Sequence, residues 1–246
     1  MIKIGAKGEI INASASKPVD PKLPVDDQSY PAIVLAKKGA TVAWEDRRWG
    51  HTVLLYSHAA PGINFSAPQP LNEVVQKSEQ YGRGSGVTRV ALSVCGNGQI
   101  AATWMDKRGN QTGYDIYAAF SRDSGVSFDA NELVQDAFAD QYAQWHPAIA
   151  GDASGQVIVA WDDDRDGTSN IWLAWKTKGG WSANFAPPPA SSNRQQTNPA
   201  ISLDTQGNLH LIWLEQETEN SPGRVMYAMG QHQSDSKPLS AAPSEK

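Results

Sequence analysis

The sequence predicts an all-β fold assembled from one repeated unit, and three observations lead to that prediction. A strand that ends in Trp recurs four times in the 246 residues, at Trp44, Trp104, Trp161 and Trp213. The spacings of 60, 57 and 52 residues are typical of propeller blades rather than of helical repeats. Nine Trp, 21 Gly and 15 Pro suit short aromatic strands joined by many turns. We therefore expect a β-propeller of four-stranded antiparallel blades, with four repeats.

Each of the four repeats is expected to form the strands of one blade, which follow one another along the chain. The first strand begins at Pro31, Arg89, Pro147 or Pro199, and proline at a strand start removes no ladder hydrogen bond. The second strand, which ends in Trp, is the most apolar and should be central. The third is β-branched or aromatic, and the fourth is rich in proline, which suits an exposed edge. The four blades are expected over residues 31–75, 88–136, 147–190 and 197–230.

The fourth unit lacks a segment that could form its own fourth strand. We expect residues 3–14 to complete this last blade, because a terminal strand that closes the ring removes free sheet edges. The alternative is an incomplete ring, with blades absent from this chain or supplied by another chain. We expect residues 1–230 to form a single domain. The polar residues 231–246 are expected to be a disordered tail.

Composition and charge argue against several classes of function. The net charge is −5 and the 21 Lys and Arg are scattered, which argues against a nucleic-acid surface. No apolar run approaches the roughly 20 residues that a membrane span needs. The single Cys95 is expected to be a buried thiol rather than a nucleophile. The first residues lack the apolar core of a signal peptide, so we expect either a cytoplasmic protein or a processed, exported bacterial form that is periplasmic or extracellular.

One turn carries a resemblance to a known family. Ser121-x-Asp123-x-Gly125-x-x-Phe128 resembles the Asp-box, or BNR repeat, of the sialidase-like β-propellers. In that motif a Ser/Asp side chain bonds to its own backbone, Gly supplies positive φ and an aromatic residue packs below. The turns at residues 57–65 and 176–181 are degenerate versions. The resemblance covers residues 31–230 and implies the fold, whereas the fold itself hosts hydrolases, lectin-like modules and scaffolds.

The resemblance also implies that ligands bind at the top face, where the second and third strands connect. The repeated acidic and basic residues there would form a polar ring around the axis. This ring consists of Asp46, Arg48, Asp106, Arg108, Asp163, Arg165, Glu215 and Glu217. The linkers between blades add Tyr30, Arg83, Arg89, Trp145, His146 and Asn198, and Trp49 lies nearby.

Sialidase chemistry uses three arginines to hold a carboxylate, a Tyr–Glu nucleophile pair and an Asp as acid and base. The resemblance implies Arg48, Arg108 and Arg165 as the three arginines. The acid would be Asp46, Asp106 or Asp163, and Tyr227 with Glu215 would be the nucleophile pair. The Phe-Arg-Ile-Pro string of those enzymes is absent, however. Equivalent positions in successive repeats also predict structural Asp–Arg pairs that tie the blades together.

No cofactor is expected, with calcium as the alternative. Asp162, Asp164 and Asp166, followed by Gly167, match the first half of a calcium-binding loop. The twelfth position of such a loop is Glu, and here it is Leu173. The same run overlaps the repeated Trp-x-Asp-x-Arg string, which explains it without a metal.

The sequence therefore favours a non-catalytic or degenerate sialidase-like propeller that serves as a binding or assembly module. Its partner would be a glycan or a protein, bound on the top face. One alternative is a glycoside hydrolase that acts on acidic sugars, and another is an accessory subunit of a larger envelope complex. The expected binding residues are Arg48, Arg108, Arg165, Trp49, Arg89, Trp145, His146 and Glu217.

Overall fold

A computed structural model describes most of the chain. It covers residues 3–4, 6, 10–12, 16–22, 26–62, 64–73, 86–96, 98–108, 113–136, 141–187, 193–218 and 220–231. Every regular element within these ranges is a β-strand, which confirms the all-β prediction. No helix in this part of the chain is long and apolar enough to cross a bilayer.

Four antiparallel sheets follow one another along the chain, and we call them blades 1 to 4. Three have four strands and the last has three. Blade 1 comprises β3 (Gln28–Ala36), β4 (Gly39–Asp46), β5 (Val53–Ala59) and β6 (Gln69–Pro70). Blade 2 comprises β7 (Val87–Cys95), β8 (Gln99–Asp106), β9 (Asp115–Ser121) and β10 (Glu132–Leu133). Blade 3 comprises β11 (Gln144–Gly151), β12 (Val157–Asp163), β13 (Asn170–Thr177) and β14 (Gly180–Trp181). Blade 4 comprises β15 (Gln195–Leu203), β16 (Asn208–Gln216) and β17 (Arg224–Gln231).

The strand order within each blade follows the chain, so the second and third strands lie in the middle of blades 1 to 3, and β16 lies in the middle of blade 4. All seven residues of β12 are buried, as expected for a central strand that is covered on both faces. The fourth strands β6, β10 and β14 have only two residues each, so the outer edge of each blade is short. Short edge strands limit unwanted pairing with other chains.

The hydrophobic core lies between successive blades. Leu54 and Tyr56 of blade 1 pack against Trp104 of blade 2. The other face of blade 2 packs in the same way against Trp161 of blade 3. Blade 3 packs against Trp213 of blade 4. Trp104, Trp161 and Trp213 therefore each fill the interface with the preceding blade, and all four strand-end Trp residues are almost completely buried.

The N-terminal strands do not complete the last blade, which corrects the prediction for residues 3–14. β1 (Lys3–Ile4) pairs with β2 (Ile10–Asn12) in a separate two-stranded sheet. This local pairing closes a short loop, whereas pairing with β17 would close a loop of about 200 residues at a higher entropic cost. The first strands of neighbouring blades lie side by side, but no comparable contact joins β15 to β3 within the described residues.

Two other expectations can be compared with the structure. Cys95 is buried and not in a disulfide, as expected. The tail was expected to start at residue 231, but Gln231 is the last residue of β17. Residues 232–246 lie outside the described residues.

Candidate functional site

Each blade's first strand contains a β-bulge at the same position. The register shifts between Ser29 and Ala32 in β3, and at equivalent points in β7, β11 and β15. One residue in every bulge has a left-handed backbone, with φ between 46° and 62°. These residues are Tyr30, Arg89, His146 and Asn198. A non-glycine residue in this region costs about 1–3 kcal/mol, and bulges commonly redirect side chains beside functional sites.

The four bulge residues line one cavity of about 310 Å³, which we call the axial pocket. The residues that follow them, Pro31, Val90, Pro147 and Pro199, contribute to its wall. All four blades therefore supply equivalent positions to a single space. Arg89 stacks on Tyr30 within the pocket, with the guanidinium carbon 4.7 Å from the ring centre.

Two buried carboxylates hold bulges of the next blade. Thr88 Oγ1 and the backbone N–H of Arg89 donate hydrogen bonds to Glu45 Oε1, at 2.6 and 2.8 Å. The backbone N–H of Asn198 donates to Asp162 Oδ1 at 3.0 Å. Glu45 and Asp162 occupy the same repeat position, between the strand-end Trp and the following Asp. A bond to a charged acceptor compensates part of the strain in each bulge.

Asp162 also binds the imidazole of His146. His146 Nδ1 lies 3.0 and 3.1 Å from the two carboxylate oxygens of Asp162, so Nε2 is the ring nitrogen left for a ligand. Burial raises the pKa of the Asp162 carboxyl above its usual range, although the hydrogen bond from His146 opposes that shift. This carboxylate–imidazole pair fixes the ring of His146 at the wall of the axial pocket.

The repeated Trp-x-Asp-x-Arg strings form a separate set of ion pairs, one in each of blades 1 to 3. In blade 1, Asp46 accepts a hydrogen bond from the Trp44 indole at 3.1 Å and from Arg48 N at 2.9 Å. The guanidinium of Arg48 donates to both oxygens of Asp46, at 2.8 and 2.7 Å. In blades 2 and 3, Asp106 and Asp163 likewise accept hydrogen bonds from the indole and from the arginine backbone N–H, but the guanidinium donates to Oδ2 alone.

The three arginines point away from the axial pocket. Arg108 stacks on Tyr117 of the third strand at 4.2 Å, and its guanidinium reaches Asn131 beside the fourth strand. Arg165 stacks on Trp172 at 4.0 Å and likewise reaches Asn184. The structure does not bring Arg48, Arg108 and Arg165 together, so the predicted carboxylate-binding set is not formed. Each is held instead by the carboxylate of its own blade.

The predicted nucleophile pair is also separated. Glu215 is buried on the side of Trp213, where it binds Arg224 at 3.1 Å. Tyr227 pairs in register with Ile212 on the opposite face of the sheet, and its hydroxyl contacts His210 Nδ1 at 2.9 Å. Since neighbouring strand residues alternate between faces, Glu215 cannot take a proton from Tyr227. Glu217 is exposed and lies 4.0 Å from Arg194.

The remaining predicted residues lie at the rim or in the core. Trp49 is half-exposed in the loop after β4, and Trp145 packs edge-on against Tyr114. Asp162 is occupied by His146 and Asn198, while Asp164 and Asp166 lie in the turn after β12. Within the described residues, no three His, Cys, Asp or Glu side chains are arranged to hold a metal ion. Arg83 lies outside the described residues.

The turn that resembles an Asp-box joins β9 to the fourth-strand region of blade 2. Asp123 Oδ1 accepts hydrogen bonds from Val126 N and Ser127 N, at 3.0 and 2.9 Å. Ser121 Oγ accepts one from Gly125 N at 2.7 Å. Phe128 packs edge-on against Tyr56 of blade 1, with ring centres 4.8 Å apart. The turn therefore fastens blade 2 to the blade before it.

Solved structures with a similar fold include glycoside hydrolases and a sialidase. An α-L-arabinanase from Penicillium chrysogenum, solved with arabinobiose, is 15% identical with a TM-score of 0.58, over 87% of this chain and 65% of that one. The microbial sialidase Hz136 from the Hadza is 14% identical with a TM-score of 0.57, over 92% and 51%. A thermostable family-43 glycoside hydrolase is 11% identical with a TM-score of 0.52, over 90% and 78%.

At these identities the likeness shows the fold alone. The chain spans about two thirds of the arabinanase and about half of the sialidase. No family model matches the sequence, and no curated protein matches it.

Sequence reasoning missed part of the axial pocket. Tyr30 and Asn198 were assigned to linkers but not to the binding set, and Glu45 was not singled out. A signal for the first two is present, since each directly precedes the Pro-Ala-Ile of its repeat, as His146 precedes Pro147-Ala-Ile. The residue before this string is therefore the position that each blade directs towards the axis.

Proposed function

We propose that the protein binds a saccharide in the axial pocket, with an acidic sugar unit as the preferred ligand. The observation that carries this proposal is the convergence of four equivalent, strained bulge residues on one cavity. Four strained bulges together cost several kcal/mol, on the order of 1–3 each, and such strain is concentrated at ligand sites. A purely structural axis could be filled by apolar side chains in unstrained strands.

The side chains of the pocket suit a sugar. Arg89 offers a planar charged donor that matches a carboxylate with two parallel hydrogen bonds. Asn198 adds an amide that can donate and accept, and His146 presents Nε2. The ring of Tyr30 is half-exposed and provides an apolar surface of the kind that stacks on sugar rings. A volume of 310 Å³ lies at the lower end of the range for ligand pockets, about 300–1,000 Å³, so the expected ligand is small.

The similar solved structures support this direction. The arabinanase was solved with arabinobiose, and a polysaccharide lyase with a TM-score of 0.52 and 13% identity was solved with a chain of glucuronic acid and sulfated rhamnose. These ligands belong to those proteins. They show that a fold of this kind accommodates both neutral and acidic sugars.

The test is calorimetric titration of the protein with glucuronic acid, galacturonic acid, N-acetylneuraminic acid and arabinobiose. We expect at least one acidic sugar to bind, and Arg89→Ala to weaken it about 10-fold or more, as for the loss of a charge-assisted bidentate contact. The matched control is Arg122→Ala, because Arg122 is exposed and paired with Asp129 in a surface turn. Equal loss in both variants, or no binding by any sugar, would refute the proposal.

A second, catalytic candidate is a glycoside hydrolase that uses the same pocket. The observation that favours it is the His146–Asp162 pair, because a carboxylate-oriented imidazole can act as a general base. Turnover of aryl glycosides of the same sugars separates the two candidates. Turnover that is lost in His146→Gln, while sugar binding remains, would establish the hydrolase. Sugar binding by the wild type without turnover would favour the non-catalytic binding module.

A further inference from the structure

The two ends of the blade array expose apolar faces that correspond to buried faces elsewhere in the chain. In blades 1 to 3, one face of the second and third strands packs against the Trp-bearing face of the next blade. The same face of blade 4 is open to solvent. Val225, Tyr227 and Met229 on this face are 68%, 59% and 62% exposed, and Ile212 and Leu214 are also exposed. We call these five residues the blade 4 face.

Blade 1 presents the complementary surface. Its Trp-bearing face contains Ile33 and Leu35, which are 65% and 74% exposed. In register these two residues lie beside Val42 and Ala40, on the side of the sheet that carries Trp44. Equivalent faces of blades 2, 3 and 4 are covered by the preceding blade. We call the exposed residues Ile33 and Leu35 the blade 1 face; Trp44 beside them is buried, with Val19 of residues 16–22 packed against its cluster.

Residues 16–22 contact blade 1 in the way that the ends of blades 1 and 2 contact the blades after them. Asp20 binds Arg48 at 2.9 Å, in the way that Glu73 at the end of blade 1 binds Arg108 of blade 2 at 3.0 Å. Asp136 at the end of blade 2 binds Arg165 of blade 3 at 3.1 Å. Residues 16–22 therefore follow the path by which a fourth strand leads from one blade to the next.

We propose that the blade 4 face of one chain docks on the blade 1 face of a second copy of this chain. The three blade–blade interfaces within the chain define what the blade 4 face fits, and the blade 1 face is the matching half. Within the described residues, the close contact that joins the first strands of neighbouring blades is absent between the first and last blades, so the two faces are available to different copies. Such a head-to-tail contact uses different surfaces on the two copies and produces a ring or a filament.

The geometry also explains why the edge of blade 4 is unpaired. In blades 1 to 3 a fourth strand pairs with the third, whereas the described residues provide none for β17. In the proposed assembly the N-terminal segment of the second copy, which approaches its own blade 1 like a fourth strand, lies next to the open edge of β17. Docking would thus cover the apolar face and protect the edge together.

The experiment compares the mass in solution, by light scattering and sedimentation, of the wild type and three variants. Val225→Glu places a charge in the blade 4 face, and Leu35→Glu places one in the blade 1 face. Val126→Glu is the control, since Val126 is 58% exposed in the Asp123 turn, outside both faces. All three positions are exposed, so the fold should survive, and circular dichroism checks this.

We expect the wild type and Val126→Glu to self-associate, and each of the other variants to lose association about 10-fold or more, because an unpaired charge would be buried in the contact. Mixing Val225→Glu with Leu35→Glu should restore a dimer, because each variant retains the face that the other lacks. A monomeric wild type would overturn the proposal. So would self-association of Leu35→Glu alone at wild-type strength, which indicates a contact between two blade 4 faces.

Discussion

The Asp163–Arg165 cluster offers the sharpest distinction between a structural and a ligand-binding role for the repeated arginines. Asp163 is fully buried and accepts hydrogen bonds from the Trp161 indole at 3.0 Å, from Arg165 N at 2.9 Å and from Arg165 Nη2 at 2.7 Å. The side chain of Arg165 is only 7% exposed and stacks on Trp172. Both charges are thus removed from solvent and depend on each other.

The magnitude follows from this burial. Asp163→Ala leaves a buried guanidinium and a buried indole N–H short of a partner, and breaking a buried pair from one side costs about 3–5 kcal/mol. Arg165→Met keeps much of the packing volume, and Asp163 retains two other donors, so we expect about 2–4 kcal/mol. The double variant should cost less than the sum of the two, with a coupling energy of about 1–3 kcal/mol.

The assay is urea unfolding followed by tryptophan fluorescence, with the slope of the transition as a check on two-state behaviour. The matched control is Glu217→Met, which changes the equivalent position of blade 4. The side chain of Glu217 is 76% exposed, so this change should stay within about 0.5 kcal/mol. The effect expected at Arg165 is a large part of a typical domain stability of about 5–15 kcal/mol.

Sugar binding provides the second measurement. If Arg165 is structural, Arg165→Met should lower stability while its affinity for the sugar bound in the axial pocket changes less than about twofold. The opposite pattern, with an unchanged unfolding midpoint and binding abolished, would refute the reasoning. It would restore the three arginines as a substrate-binding set.

Three further predictions concern the turn of blade 2 and the thiol. Burial opposes ionisation of Asp123, but hydrogen bonds from its own turn outweigh it and lower its pKa to about 2. The stabilisation is complete above about pH 4 and is lost as the pH falls through about 2, so wild-type protein should lose more stability than Asp123→Asn over that window in urea titrations. Gly125→Ala should lower the free energy of unfolding by about 2–5 kcal/mol, since the new Cβ would lie 1.8 Å from Thr41 Oγ1. The control Gly62→Ala should lower it by only about 1 kcal/mol, because Gly62 has a similar φ but open space around it. A smaller cost at Gly125 than at Gly62 would contradict this contact. Burial and nearby Asp152 raise the pKa of Cys95 to about 11, so a thiol reagent at neutral pH should react with it only as fast as the protein unfolds; fast reaction in the folded state would exclude that burial.

The repeat was readable from the sequence because its determinants are local. The strand-end Trp, the turn glycines and the apolar second strand each report a residue's own environment, and they located all four sheets. Ring closure was not readable, because it depends on which strand pairs with β17, and that choice involves residues far apart in the chain. The short N-terminal strands β1 and β2, which are close in the chain, pair with each other and not with β17.

The arginine prediction failed for a geometric reason. Sequence equivalence places Arg48, Arg108 and Arg165 at the same height and radius on three blades, but it does not say whether that radius is small or large. The guanidiniums turn outward because an aromatic ring of the third strand and a carboxylate lie there. His146 and Arg89 were predicted as binding residues in the linkers, and both line the axial pocket, yet their convergence depends on a bulge that local residue type does not encode.

Adjacent residues of the Trp-x-Asp string serve two different parts of the molecule. Side chains alternate between the faces of a strand, so the residue after Trp and the Asp that follows point in opposite directions. Asp162 reaches the bulge of the next blade, whereas Asp163 holds the arginine of its own blade. The axial pocket and the outer ion pairs are therefore built from neighbouring positions but do not share side chains.

This separation predicts how changes at the two positions divide between binding and stability. Met105 and Leu214 occupy in blades 2 and 4 the position that Glu45 and Asp162 occupy in blades 1 and 3. No side-chain carboxylate from Met105 can hold the bulge of blade 3, and there the imidazole of His146 is bound by Asp162 of its own blade instead. One carboxylate thus fixes both His146 and Asn198, half of the pocket. Asp162→Asn should consequently disturb sugar binding more than any single change in the outer ion pairs.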